Sequence, residues 1–425
     1  MNILILSQME DVFLHLIKNN KSINKVYLAN YSLADKIYYN YLFKKHNVKF
    51  ENVKYNSYLK NELKLIYNKV EKLYKSSIDY QRLDDKENIE YIVLKYCNLY
   101  LNINYFFESN QIDTTVTWNG YFAPDIIVNY LAKEHNIKTI FYEMGLFRPN
   151  TMTIDAKIVN YGNSVPQSVS FYKNNEFSDK NNLVSKSNIK SSNKNIYKLY
   201  KIFDHLLYHL NCCTYKRFDN IKNISLKKKK ELSTVVKLSD IDTKYINIFV
   251  PLQVSTDTQI LLNSPNIKSM DRLIEILNTA IIKLNKENIK YKIYIKKHPK
   301  DLKEIKTEFE DNIYLLDEKI SSKEIIKKVD SVVTINSTVG LEAIELSKPC
   351  VVLGNAFYSI EPIAFKANTD NLALKINEAL KNTDFKLQSK FIEYLKYEYQ
   401  LPYNPFSILE FDTNIHQEKF KELLK

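Results

Sequence analysis

The chain has 425 residues, 45% hydrophobic and 26% charged, with a net charge of +12, which excludes a disordered or fibrous chain and predicts a soluble globular protein of two domains. The excess is lysine, with arginine only at Arg82, Arg148, Arg217 and Arg272, so the guanidinium forks that read nucleic acid are scarce and no nucleic-acid partner is expected. A lysine coat of compositional origin, an anionic substrate and an anionic lipid surface are the readings of the charge that stay open.

The opening MNILILSQ reads as a strand that starts at once, without the charged and apolar regions of a signal peptide. Cys97, Cys212, Cys213 and Cys350 have no zinc-ligand spacing, and no run approaches the roughly 20 apolar residues of a membrane span. A reducing cytoplasmic location follows as the expectation. NILIL (2–6), KVYLAN (25–30), TTVTW (114–118), KTIFYE (138–143) and AKIVN (156–160) are predicted strands, with helical spacing in APDIIVNYLAKEHN (123–136). This alternation predicts a mostly parallel, doubly wound sheet. Residues 174–196 are rich in Asn, Lys and Ser and read as loop, 197–210 as amphipathic helix, and LKKKKELS (226–233) as a charge run that is either a solvated insertion or a membrane contact.

Alternation resumes near 245. YINIFVPLQ (245–253), YKIYIKKHP (291–299), IYLLD (313–317), SVVTIN (331–336) and PCVVLG (349–354) are predicted strands. SMDRLIEILNTAIIKLNKEN (269–288), SKEIIKKVD (322–330) and VGLEAIEL (339–346) are the helices between them. The last forty residues, including KFIEYLKYEYQ (390–400), read as helical and as closing back over the first domain.

Chemistry concentrates where predicted strands end. Ser337 and Thr338 follow a strand and precede a helix, where hydroxyls and free N–H groups either cap the helix or face an anion. Lys296-Lys297-His298-Pro299 ends another strand of the same unit, so the imidazole and a lysine reach the same sheet edge and suit a nucleotide phosphate. Glu342, one turn into the helix, is placed to accept from ribose hydroxyls or to lie on the surface. Gln253 and Asp257 follow the first strand of this unit, and Asp257 is either a nucleophile or base or a helix N-cap. Asp240-Ile241-Asp242 has the form of a metal-holding DxD but precedes the strand, so no metal is assigned to it. Only five glycines occur, Gly120, Gly145, Gly162, Gly340 and Gly354, and each is expected where the backbone needs it.

PLQVSTDTQI, KKHP and TINSTVGLEAIELSKPCVVLGNAFY, with TVTWNGYFAPD and FYEMGLFRPNTMTIDAKIVN in the first unit, together resemble the bacterial capsule polysaccharide synthesis family, which includes retaining β-Kdo transferases of the KpsC/KpsS type. The motifs span residues 114–360, and DAKIVN departs from the family by lacking the glycine before VN. The resemblance implies an α/β, GT-B-like fold of two Rossmann-like lobes with an interdomain cleft. On that reading 1–165 is the acceptor lobe, 166–240 a basic, partly helical linker or insertion, 241–385 the nucleotide-sugar lobe and 386–425 a helical segment. It further implies transfer of Kdo or a similar ulosonic acid from a CMP-sugar to a glycan or lipid-linked glycan acceptor, with retention through a covalent adduct and no metal. Asp257 is then the nucleophile and Glu143 the acid/base, in roles that are exchangeable. Lys296, His298, Ser337, Thr338 and Glu342 hold the nucleotide, while Trp118, Asn119, Gly120 and Gln253 shape the sugar or acceptor pocket. The HP and Ser/Thr pattern is shared with sialyltransferases and polyol-phosphate polymerases, which stand as alternatives beside a non-catalytic capsule assembly or export partner. A cytoplasmic enzyme, peripheral on the inner face of the membrane, completes the expectation.

Overall fold

The computed structural model describes residues 1–6, 20, 22–29, 33–42, 44, 48–83, 88–148, 151–178, 199, 202, 236–286, 290–301, 303–402 and 414–424. Among these, 1–164 and 399–424 form one compact unit, and 165–178 and 236–398 a second. The predicted loop, helix and charge run of the linker lie almost wholly outside the described residues, as do Cys212 and Cys213.

The first unit carries β1 (Asn2–Ile5), β2 (Lys25–Leu28), β3 (Lys49–Asn52), β4 (Thr114–Thr117), β5 (Lys138–Met144) and β6 (Thr151–Asp155). Its sheet runs β3-β2-β1-β4-β5 in parallel, then β6 antiparallel, and ends on a two-residue strand, Leu401–Pro402, antiparallel to β6. Both faces are apolar because neighbouring side chains point to opposite sides. Ile3 and Ile5 join one core with Val26 and Leu28, while Leu4 and Leu6 join another with Tyr27 and Ala29. The second core is closed by the 21-residue helix Ile89–Ser109 and by Ala123–Glu134.

The second unit carries β7 (Ile246–Pro251), β8 (Tyr291–Lys296), β9 (Ile313–Leu316), β10 (Ser331–Thr334), β11 (Cys350–Val352) and β12 (Phe365–Lys366), all parallel, in the order β12-β11-β10-β7-β8-β9. Taken in chain order this is the doubly wound 3-2-1-4-5-6 arrangement, whose direction reverses between β7 and β10. The helix Met270–Leu284 starts at Ser269, whose hydroxyl accepts from the Arg272 N–H at 3.1 Å. It buries Leu273, Ile274, Leu277, Ala280, Ile281 and Leu284, a spacing of three and four that lays one apolar stripe on the sheet. Each large aliphatic side chain so buried contributes about 1.5–3 kcal/mol.

Two α/β, Rossmann-like units are therefore present, as the alternation predicts. One predicted strand is wrong. AKIVN forms bends and turns, because the strand is the preceding Thr151–Asp155. The Asp155 carboxylate accepts from the Lys157 N–H at 2.7 Å, and Asn160 has φ +65°, which curls the segment.

Candidate functional site

The strand reversal between β7 and β10 is where open α/β sheets bind ligands, at the carboxyl ends of the strands. Here it is closed by a pair of amides. Gln253 Nε2 donates to Asn336 Oδ1 at 3.0 Å, and the Asn336 N–H donates back to Gln253 Oε1 at 3.1 Å. Asn336 Nδ2 also donates to the carbonyls of Gln259 (2.9 Å) and Asn263 (3.1 Å), at the two ends of the helix Thr258–Asn263. Both side chains are buried. Gln253, expected against substrate, is thus turned onto the β10 loop. Asn336, to which the sequence assigns no role, is the hub that fixes the loops after β7 and β10 to each other.

Ser337 and Thr338 sit directly on that hub. The Ser337 N–H donates to Thr334 Oγ1 at 3.2 Å, and its own hydroxyl accepts from the Val339 N–H at 3.2 Å. Thr338 is exposed, does not cap the helix Val339–Glu345, and its hydroxyl has no hydrogen-bond partner among the described residues. Behind the turn, the Tyr358 hydroxyl donates to the Ser337 carbonyl. Gly340 leaves room for this ring, since an added Cβ would stand 2.5 Å from the Tyr358 hydroxyl oxygen.

His298 follows β8 on the same edge. Its Nδ1 accepts from the Lys300 N–H at 3.1 Å, so the neutral ring carries its proton on Nε2. Burial, with neighbouring Lys300, holds the imidazole below its ordinary pKa against the opposing pull of Asp257 and Asp301. It is therefore a neutral donor at neutral pH. A turn through Pro299, closed by the Asp301 N–H on the His298 carbonyl at 2.9 Å, fixes the ring's base, and Ser255 from the β7 loop donates to buried Asp301 at 3.1 Å.

The two adjacent lysines have different surroundings. Lys296 donates to the Ile320 carbonyl at 2.6 Å and to the Ser322 hydroxyl at 3.3 Å, which holds its ammonium against the loop after β9. Burial lowers its pKa, against nearby Glu342 and Glu318. Glu342 is half-buried on the helix behind Ser337, and burial raises its pKa. Lys297 is 8% exposed and has no hydrogen-bond or ion-pair partner among the described residues.

Asp257 is the N-cap of Thr258–Asn263. Its Oδ1 accepts from the Gln259 N–H at 2.8 Å, and its other oxygen has no partner among the described residues. Asp240 and Asp242 each accept from a nearby backbone N–H, of Lys237 at 3.0 Å and of Lys244 at 2.9 Å, as turn caps do.

In the first unit, the turn Trp118-Asn119-Gly120 leaves the carboxyl end of β4 beside Glu143 on β5. Trp118 stands edge-on to Tyr142 at 5.2 Å between centroids, and Asn119 Oδ1 accepts from the Tyr121 N–H at 3.2 Å. Gly120 has φ +84°, a conformation L side chains rarely adopt. Glu143 Oε2 accepts from Asn160 Nδ2 at 3.0 Å. Asp155 is fully buried and accepts from Lys157 N–H, Ser164 N–H, Ser164 Oγ and Tyr399 Oη, four donors that make it a structural anchor.

Residues 113–406 match the family described as capsule polysaccharide biosynthesis protein. Protein FixF of Sinorhizobium fredii is 27% identical over 285 residues, covering 66% of this chain and only 58% of its own length. The capsule polysaccharide export protein KpsS of Escherichia coli is 26% identical over 297 residues, covering 62% of this chain and 72% of its own. Among solved structures, the KpsC beta Kdo 2,4 transferase of Thermosulfurimonas dismutans is similar at 14% identity and TM-score 0.39, over 74% of this chain and 88% of its own, a distance at which the likeness carries no argument about activity.

Proposed function

Because this chain belongs to the capsule polysaccharide biosynthesis family, we propose that it is a glycosyltransferase that moves Kdo or a similar ulosonic acid from a CMP-sugar to a surface-glycan acceptor with retained configuration. The observation that carries the reading is the edge at the β7–β10 reversal. There the Ser337-Thr338 turn follows the buried Gln253–Asn336 amide pair, and the turn after the adjacent strand β8 carries His298, with its Nε2–H free to donate, and Lys297, a set of donors that suits a departing phosphate.

In the proposed first step Asp257 Oδ2 attacks the anomeric carbon while the bond from that carbon to the phosphate oxygen breaks and CMP leaves with the electron pair. Oδ1 stays on the Gln259 N–H and fixes the attacking oxygen. His298, Lys297 and the hydroxyls of Ser337 and Thr338 take up the charge that develops on the phosphate, with no metal in the scheme. Lys296 and Glu342 shape the same edge from behind, and Glu342 is assigned to the ribose. In the second step the acceptor hydroxyl attacks the anomeric carbon, Asp257 leaves, and the hydroxyl proton goes to Glu143. Trp118, Asn119 and Gly120 are assigned to the acceptor, and Gln253 to holding the turn through Asn336.

Calorimetric titration with CMP tests the nucleotide assignment. CMP binds the parent and binds His298→Ala at least tenfold more weakly; equal affinity for both removes His298 from the site. Mass spectrometry after addition of CMP-Kdo then shows a sugar adduct on Asp257, and an adduct on Glu143 exchanges the two roles. The similarity to the Escherichia coli capsule polysaccharide export protein KpsS favours a second reading as a non-catalytic capsule assembly partner. Capsule production that is unchanged by Asp257→Ala and His298→Ala in cells selects that reading.

A further inference from the structure

A flexible glutamate serves as an acid/base only when something aims it, and the loop after β6 supplies a partner for Glu143. Asn160 Nδ2 donates to Glu143 Oε2 at 3.0 Å, across 17 residues of chain. Both residues are half-buried, where water competes less for the bond than at the open surface.

The amide is fixed from its own side as well. Asp155, fully buried at the end of β6, accepts from the Lys157 N–H at 2.7 Å and from the Ser164 N–H and hydroxyl at 2.8 and 2.7 Å. Both ends of the segment 156–164 thus return to one carboxylate. The buried Tyr121, just after the Trp118-Asn119-Gly120 turn, donates its hydroxyl to the Val159 carbonyl at 3.1 Å, one residue before Asn160. Asn160 has φ +65° and Gly162 φ +89°, and the Asn163 N–H closes the bend on the Asn160 carbonyl at 3.4 Å. The left-handed conformation at 160 is one that Gly, Asn and Asp adopt with least strain, and of these three only Asn carries a side-chain donor for a carboxylate.

We infer that Asn160 is a positioning residue for Glu143. Its amide pins Oε2, so the acceptor hydroxyl meets a carboxylate of fixed orientation, and Tyr121 ties the loop that carries Asn160 to the turn assigned to the acceptor. The inference rests on the proposed role of Glu143 as the group that takes the acceptor proton.

Two substitutions separate the amide from the bend. Asn160→Gly keeps the left-handed backbone and loses the donor, while Asn160→Asp keeps the shape and sets a second carboxylate against Glu143. Turnover is measured at saturating acceptor and at saturating donor, whichever of CMP-Kdo, CMP-sialic acid and CDP-glycerol the parent consumes. The expected order of kcat is the parent, then Asn160→Gly about tenfold lower, then Asn160→Asp lower again, with CMP affinity by calorimetry unchanged in both. A residue that only shapes the loop gives the opposite order, with the isosteric Asp the milder change, and that order overturns the inference, as does parental kcat in Asn160→Gly. If Asn160→Asp does not fold, the Glu143→Ala background decides. There Asn160→Gly is expected to cost no further kcat, and losses that multiply contradict a role through Glu143. A parent that consumes no donor refutes the transferase reading instead. Thermal midpoints of the parent, Asn160→Gly, Glu143→Ala and the double variant then decide the contact itself: a loss smaller than the sum of the two supports it, and additive losses remove it.

Discussion

A histidine whose Nδ1 is tied to a backbone N–H presents a single donor outward, and His298 is held that way by Lys300 at 3.1 Å. In the proposed mechanism, replacing it with alanine removes one donor to the leaving phosphate and is expected to lower turnover at saturating donor by about 10²–10³; unchanged turnover contradicts the role. The imidazole titrates below its ordinary value because burial disfavours its charge. Its contribution to stability is therefore present above about pH 6.5 and is lost as pH falls through the depressed folded value. An NMR titration of the ring checks the direction. Gly340→Ala sets a Cβ against Tyr358 and its hydrogen bond to Ser337, and is expected to cost about 1–3 kcal/mol in a denaturant melt. At this scale the sequence shows which residue types gather at strand ends, so His298, Ser337 and Asp257 are legible. It does not show side-chain direction. That is why Lys296 and Lys297 look equivalent in KKHP, although the first is bonded to Ile320 and the second has no partner among the described residues.

Most strands are readable as elements because parallel strands buried on both faces are continuous apolar runs, as in YKIYI, SVVT and CVV. The exceptions have physical causes. KFEN forms β3 with one exposed and two half-buried residues, so its apolar signal is a single Phe50. TMTID forms β6, but its register is set by antiparallel pairing with β5, a tertiary contact that outweighs the more apolar AKIVN beside it. The helix Phe385–Tyr394 belongs with the second unit, whereas Leu401–Pro402 adds an edge strand to the first sheet. The sequence reading expects this segment to close back over the first unit; residues from Tyr399 on do join it, while the helix stays with the second. The Gln253–Asn336 pair is invisible in the sequence, since its partners are 83 residues apart. Gln253→Ala leaves the buried Asn336 N–H and amide oxygen without their acceptor and donor, and is expected to cost about 1–3 kcal/mol of stability and to weaken CMP binding together with it. Lost stability with intact CMP affinity would separate the amide network from the site.

For the whole molecule, the family match over 113–406 reaches into both units but leaves 1–112 of the first unmatched, and no helix among the described residues is long and apolar enough to cross a membrane. If the proposed acceptor is lipid-linked at an anionic surface, the lysine excess would favour attraction to that surface. Co-sedimentation with phosphatidylglycerol vesicles is expected to fall as salt rises, and salt-insensitive binding or none removes the electrostatic contact. The identity of the donor is the central claim. Purified full-length chain incubated separately with CMP-Kdo, CMP-sialic acid and CDP-glycerol, with acceptor glycan present, reports it by the nucleotide released. Release of CMP from CMP-Kdo, abolished or reduced at least a hundredfold in His298→Ala, is the predicted result. Release only from one of the other two donors, or from none of them, contradicts it.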